Sequence, residues 1–291
     1  MARTNNIQVF KTYIDQLDDV YKAEAKTAVL ESNAALVKNG ANANEFIIPK
    51  IDMDGLGDYS RSDGYKAGKV DLTNETVKCD FDRGRVFTID AMDNEETAGV
   101  AFGRLAAEFI RTKVVPELDA YRFAKYAGKA GKKEAAALAD GSAVMTAITN
   151  AITHMDDAEV PEEGRYLFIT PAHLNAIKSL DTTKSRELLA TLEGRIIKVP
   201  QTGFYSTIDQ LDGATGGEEA GGYRKNASAK DLNFMMLHKS ALIQFSKHLV
   251  TKIVTPEENQ KSDGWLFFYR SYGIADVLEN KVNGIYVHTA A

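Results

Sequence analysis

The chain has 291 residues, 44% hydrophobic and 26% charged, enough for one large domain or two ordinary ones and incompatible with wholesale disorder. A formal net charge of −6 disfavours a protein whose main task is gripping nucleic-acid phosphates. The lone Cys79 excludes an internal disulfide, residues 1–10 hold no apolar run suited to a signal peptide, and nothing approaches the roughly 18 apolar residues of a membrane helix, so a soluble, cytoplasmic chain is expected.

Residues 7–38 predict one helix or two short ones, because Phe10, Tyr13, Ile14, Leu17 and Tyr21 recur at three- and four-residue spacing. Over 1–40, five basic residues (Arg3, Lys11, Lys22, Lys26, Lys38) balance five acidic ones (Asp15, Asp18, Asp19, Glu24, Glu31). That makes an amphipathic arm and not a basic DNA-binding tail, and Asn39-Gly40 marks its end.

From Phe46 to Ala91 helical periodicity is absent. Phe46-Ile47-Ile48-Pro49 predicts a short strand, which Pro49 confines to an edge or a strand end. Residues 52–69, dominated by Gly, Asp, Ser and Lys, predict a mobile tip. Val77, Cys79 and Phe81 alternate with Lys78, Asp80 and Asp82 in a half-buried strand pattern. Asp82-Arg83-Gly84-Arg85 then reads as a turn and Val86 to Ile89 as a returning strand. The excursion is too poor in apolar residues to bury itself, so it is expected to lie against another copy of the chain.

A long helix is predicted next, capped by Asp93 with Glu96 in a capping-box role and ended by Gly128 and Gly131. Glu95 and Glu96 suit its positive end, Lys125 and Lys129 its negative end. Phe102, Leu105, Phe109, Leu118 and Tyr121 share a side, and Pro116, which cannot bond the Thr112 carbonyl, predicts a kink. A continuous helix of that length spans roughly 50 Å, natural for a spine.

After a Gly/Lys/Ala linker (127–141) the pattern becomes α/β. Residues 142–157 predict a helix, Tyr166 to Thr170 a buried strand, and Pro171 the first turn of a helix capped by Thr170. Ile196 to Val199, Phe234 to Leu237 and Ala241 to Phe245 read as strands, with Gly213 to Gly222 a Gly/Glu-rich surface loop. The tail alternates around Trp265 to Tyr272, and Asn283-Gly284 predicts a hairpin turn before Ile285 to Val287.

Catalytic and metal-binding patterns are absent. The histidines (154, 173, 238, 248 and 288) form no HExxH and no ligand spacing with Cys79, and read as surface or capping residues. Asp52-x-Asp54 with Asp63 resembles a calcium loop superficially, but Leu56 occupies a ligand position and the bidentate Glu is missing. Gly213-Ala-Thr-Gly-Gly lacks the Gly-Lys-Ser/Thr of a P-loop, and no Gly-x-Ser-x-Gly elbow exists. Cys79 alternates with Val77 and Phe81 and reads as a packed thiol. No catalytic residue, metal or cofactor is expected.

The order of elements and five stretches together resemble the major capsid proteins of tailed phages. Asp15-Gln-Leu-Asp-Asp-Val-Tyr21 is similar to the start of that family's arm, and Val115-Pro-Glu-Leu-Asp-Ala-Tyr-Arg122 to its spine helix. Arg165-Tyr-Leu-Phe-Ile-Thr-Pro-Ala-His-Leu174 is similar to the strand-Pro-helix of its axial lobe, and Leu237-His-Lys-Ser-Ala241 to the strands leading out of it. Tyr269-Arg-Ser-Tyr-Gly273 resembles the return to the peripheral lobe.

The resemblance implies an α+β chain with the Hong Kong phage-type capsid fold, self-assembling through pentamers and hexamers into an icosahedral shell. It implies an N-terminal helical arm (1–40), an extended β-hairpin loop over a neighbour (41–92), a peripheral domain with the spine helix (93–129 and 250–291) and an α/β axial domain (130–249). Assembly contacts are expected at Tyr59, Arg61, Tyr65, Lys66 and Lys69 in the loop. The shell would form in the host cytoplasm, with a portal, and enclose double-stranded DNA without reading its sequence. The arm starts within ten residues of Met1, so a separate scaffolding protein is expected if Met1 is the natural start, and cleavage only if it is not. Some relatives join Lys and Asn covalently between neighbours; Lys66 and Lys69 lie in the right loop, but no Asn matches near Trp265 to Tyr272, so no cross-link is expected. Two other readings stay open: an encapsulin-type compartment shell of the same fold, and a cytoplasmic α/β enzyme.

Overall fold

The computed structural model describes residues 25–32, 38–39, 45–62, 64–92 and 100–291. Most of the predicted arm, and the predicted helix start at Asp93, Glu95 and Glu96, lie outside the described residues. Within the arm, Ala28–Leu30 is a single 3-10 turn and Lys38–Asn39 a short strand, β1, where helix was expected.

Three strands make the first sheet, in the order β11-β12-β4: β4 is Phe81–Asp90, β11 Leu242–Val254 and β12 Gly264–Val277, all antiparallel. Arg83, Arg85 and Phe87 register with Ser271, Tyr269 and Phe267, so they share the face that packs beneath the spine. The turn expected at 82–85 is therefore the middle of a strand. Gly84 is needed there because a Cβ would meet the Tyr269 carbonyl oxygen at 2.8 Å.

The spine is α1 (Val100–Phe109), a π-helical turn (Ile110–Val114) and α2 (Val115–Lys129). Pro116 has no N–H for the Thr112 carbonyl, and widening the turn before it absorbs the missing bond. A π turn thus stands where the kink was expected. Gly128 is inside the helix, and the chain leaves helical geometry at Ala130. Asp119 of α2 accepts the backbone N–H of Lys26 (2.8 Å) and of Thr27 (3.1 Å) together with the Thr27 hydroxyl (2.6 Å). Arg122 donates to the same hydroxyl at 2.8 Å, and Gln244 of β11 to the Thr27 carbonyl at 2.8 Å. This strap ties residues 25–32 across spine and sheet.

The second sheet runs β5-β13-β10-β6-β7. It consists of β5 (Lys132–Ala135), β6 (Arg165–Ile169), β7 (Ile196–Lys198), β10 (Leu232–His238) and β13 (Ile285–Thr289). The linker expected over 127–141 contains β5, which lies parallel to β13. Asn283-Gly284 turns no hairpin: Glu279–Gly284 is a 3-10 stretch that delivers β13 between β5 and β10. Every residue of β13 and β10 is buried, as befits central strands covered on both faces.

One cover is α3 (Gly141–Asp157) with α4 (Pro171–Ser179); the other is α2, whose Phe123 ring meets Phe168 at 5.2 Å and Phe204 at 5.0 Å. Asp140 caps α3 through Ala143 N–H at 2.8 Å. Thr170 precedes α4 but makes no side-chain cap; its hydroxyl meets His173 Nδ1 at 2.6 Å. A helix not expected from sequence, α5 (Thr183–Thr191), opens with a Thr182/Ser185 capping box. β8 (Ile208–Leu211) and β9 (Gly222–Lys225) form a hairpin of their own around the Gly/Glu-rich loop.

Candidate functional site

The excursion is a long antiparallel hairpin, β2 (Glu45–Met53) and β3 (Val70–Lys78), with β1 beside its base. The strand extends well past the expected Phe46–Pro49. Pro49 lies opposite Asn74 of β3, two residues beyond the described pairing of β2 with β1.

Residues in register share a face, so the hairpin has two distinct ones. One carries Phe46 with Val77, Ile48 with Glu75, Lys50 with Thr73 and Asp52 with Asp71. Its base is anchored: Phe46 and Val77 are buried with Ile243, Phe245 and Ile274, and the Phe46 and Phe245 rings stand 5.1 Å apart. Lys50 bridges Glu75 at 3.1 Å and Glu279 at 2.5 Å. Cys79 packs in the same cluster as a buried free thiol, and burial pushes its pKa up. That is the environment of a packing residue and not of a nucleophile.

The opposite face carries Ile51 with Leu72 and Met53 with Val70. These are 61%, 66%, 65% and 67% exposed, four large apolar side chains on one side of a ribbon with open solvent over them. Soluble monomers rarely leave such a contiguous set uncovered, and a surface of this kind marks an interaction site. Sequence reading missed all four. The available signal was the period-two alternation of Ile51-Asp52-Met53 and Val70-Asp71-Leu72-Thr73, hidden by treating 52–69 as a single tip.

The five expected contact residues cluster at the end of this ribbon. Ser60 and Gly64 exchange backbone hydrogen bonds at 2.8 and 3.2 Å, which brings the Tyr59 and Tyr65 rings to 4.9 Å. Tyr65 is 90% exposed and Leu56 fully so; Arg61 stands at the apex, also exposed. Lys66 runs alongside Gly57. Lys69 pairs with Asp71 at 2.6 Å, and its backbone is stapled to Asp54 by bonds of 2.7 and 3.1 Å. The aromatic pair and Leu56 add exposed apolar surface at the tip, and Asp52 and Asp54 serve as hydrogen-bond staples.

His288, read as a surface or capping residue, is buried instead, whereas His238 is buried and does cap, at the 3-10 turn Lys239–Ala241. His288 pairs with Asn233 at 3.0 Å inside the second sheet, and burial depresses its pKa. His238 donates from Nε2 to the Glu163 carbonyl at 2.8 Å and accepts Ser240 at Nδ1. Among the described residues no cluster of His, Cys, Asp and Glu could hold a metal, and no helix is long and apolar enough to cross a membrane.

No protein-family model and no curated protein matches the sequence. Solved structures do. The mature capsid of bacteriophage PhiM1 matches with a TM-score of 0.58 at 12% identity, over 86% of this chain and 82% of that one. A structure from Gordonia phage Cozz matches with a TM-score of 0.61 at 10% identity, over 92% and 86%. A virus-like particle from Pyrococcus furiosus matches with a TM-score of 0.58 at 12% identity, over 96% and 99%. At such identities the likeness concerns architecture, and that architecture is unambiguous. The chain has the α+β fold of the tailed-phage major capsid proteins.

Proposed function

We propose that the chain is a major capsid protein of a tailed phage or prophage, one of many identical copies closing an icosahedral shell around double-stranded DNA. The carrying observation is the outward face of the hairpin, where Ile51, Met53, Val70 and Leu72 stand exposed on a ribbon that projects from the core. A second copy lying under that face removes it from water, and the Tyr59/Tyr65 tip with Arg61, Lys66 and Lys69 completes the contact. On this reading the spine with β4, β11 and β12 forms the peripheral lobe. The axial lobe is about 130–241 together with the last strand, a division supported by β13 lying beside β10 and by β11 lying wholly in the other sheet. Pentamers and hexamers, a portal and a scaffolding protein are the assembly partners of this reading, and the net charge of −6 suits a wall that does not grip its genome. The work is structural and not catalytic.

Electron microscopy of the purified protein tests the proposal. Regular shells or capsomer rings are expected, and Leu72→Asp should abolish them while leaving the circular dichroism and melting of the subunit unchanged, because the side chain is exposed. A protein that stays monomeric under all conditions, alone and with a scaffolding protein, would overturn it. A second reading, a compartment shell, is favoured by the match to the Pyrococcus furiosus virus-like particle over 96% of this chain. Particles enclosing a protein cargo and no DNA would establish that reading instead.

A further inference from the structure

Between the first sheet, the spine and the β8–β9 hairpin lies a cleft of about 1000 Å³, walled by Phe87, Leu105, Phe109, Pro116 and Tyr269. One end is closed by two arginines from β4. Arg83 donates from Nε to Glu117 of the spine at 2.7 Å, and from Nη2 to the carbonyls of Leu211 (2.7 Å) and Gly222 (3.2 Å). Leu211 and Gly222 are the closing pair of the β8–β9 hairpin, so a single guanidinium holds both of its strands and the helix above.

Two residues on, Arg85 donates to the Glu219 carbonyl at 2.9 Å. Its other amine passes between Gly213 and Gly221, where added Cβ atoms would stand 2.8 and 3.2 Å from it. Both glycines have positive φ, +76° and +65°, so the loop is shaped around the arginine. The loop is rigid in itself: Asp212 accepts Ala214 and Thr215 N–H at 2.8 Å each and the Thr215 hydroxyl at 2.5 Å. Those bonds hold the Asp212 carboxyl down to about 2.

We infer that Arg83 and Arg85 form a releasable clamp, which fixes the β8–β9 hairpin as a lid on this cleft and sets its angle to the first sheet. The hairpin is a two-stranded sheet separate from the others, and such units are marginal without support. Its grip on β4 is polar and partly buried, Ile208 of β8 packs against the main core as the fixed end, and the open cleft beside the hairpin leaves room for the rest to swing about it. Releasing the clamp frees a rigid body, because the loop's own bonds do not depend on either arginine.

Hydrogen exchange of the intact chain tests this. Arg85→Ala removes an exposed side chain and is expected to leave the fold intact. It should speed exchange of 208–225 roughly tenfold, and Arg83→Ala more, in line with the loss of charge-assisted bonds. Gly213→Ala should reproduce the effect with both arginines present. Unchanged exchange in Arg85→Ala and Gly213→Ala would overturn the clamp. So would acceleration spread over α2 and β12, which would make the arginines general supports of the core.

Discussion

Asp119 is a carboxylate buried at 6% exposure, and it spends its acceptors on the backbone of a segment more than ninety residues earlier. Arg122, 1% exposed, lies beside it on the Thr27 hydroxyl. Two opposite charges inside a core are tolerable together and costly apart. Asp119→Ala should therefore destabilise the subunit by about 3–5 kcal/mol in urea denaturation, leaving Arg122 uncompensated. Combining Asp119→Leu with Arg122→Met should recover much of that loss, since no lone charge remains. If the double variant is as unstable as the single, the strap's hydrogen bonds and not the charge balance hold the fold. Sequence reading gave no sign of this group, because Asp119 and Arg122 look like ordinary exposed charges on a helix whose partners are far away in the chain.

Elements were legible where their pattern is local. The strand expected at 166–170, the helix that Pro171 opens and the helix expected at 142–157 stand within a residue or two of where periodicity and Pro171 put them, although Thr170 makes no cap. Elements failed where a distant partner decides. Asp82-Arg83-Gly84-Arg85 has turn composition, but all four residues pair with β12, nearly two hundred positions later, and stand in the middle of a strand. Lys132–Ala135 is too short and polar to signal a strand without β13 beside it. The hairpin failed in part for the same reason: its exposed face makes sense only beside something absent from the chain. Because Met53 and Val70 are in register, residues 54–69 can be replaced by a two-residue Asn-Gly turn without breaking the ladder. The shortened subunit should melt within a few degrees of the parent, as loop tips add little to the core, while shells are lost or weakened. Loss of monomer folding would show the tip to be part of the core.

At the scale of the whole molecule, the subunit carries two kinds of surface. Most of it is charged and solvated, while the ribbon of Ile51, Met53, Val70 and Leu72 is apolar. Contacts driven by apolar burial weaken on cooling and strengthen with excluded salts such as sulfate. Light scattering should accordingly show the critical concentration for assembly rising as the sample is chilled and falling with added sulfate. Assembly that sodium chloride dissolves and cold does not would instead mean that ion pairs carry the contact.

The placing of β13 has a consequence for how each copy comes into being. Residues 285–289 fill the second position of a five-stranded sheet whose other members span 132–238, and β5 pairs with nothing else in it. During synthesis the chain up to residue 284 can make helices and hairpins but cannot close that sheet. That lobe is thus completed only once residues 285–289 have been made, and a chain truncated before them lacks a central strand of its sheet.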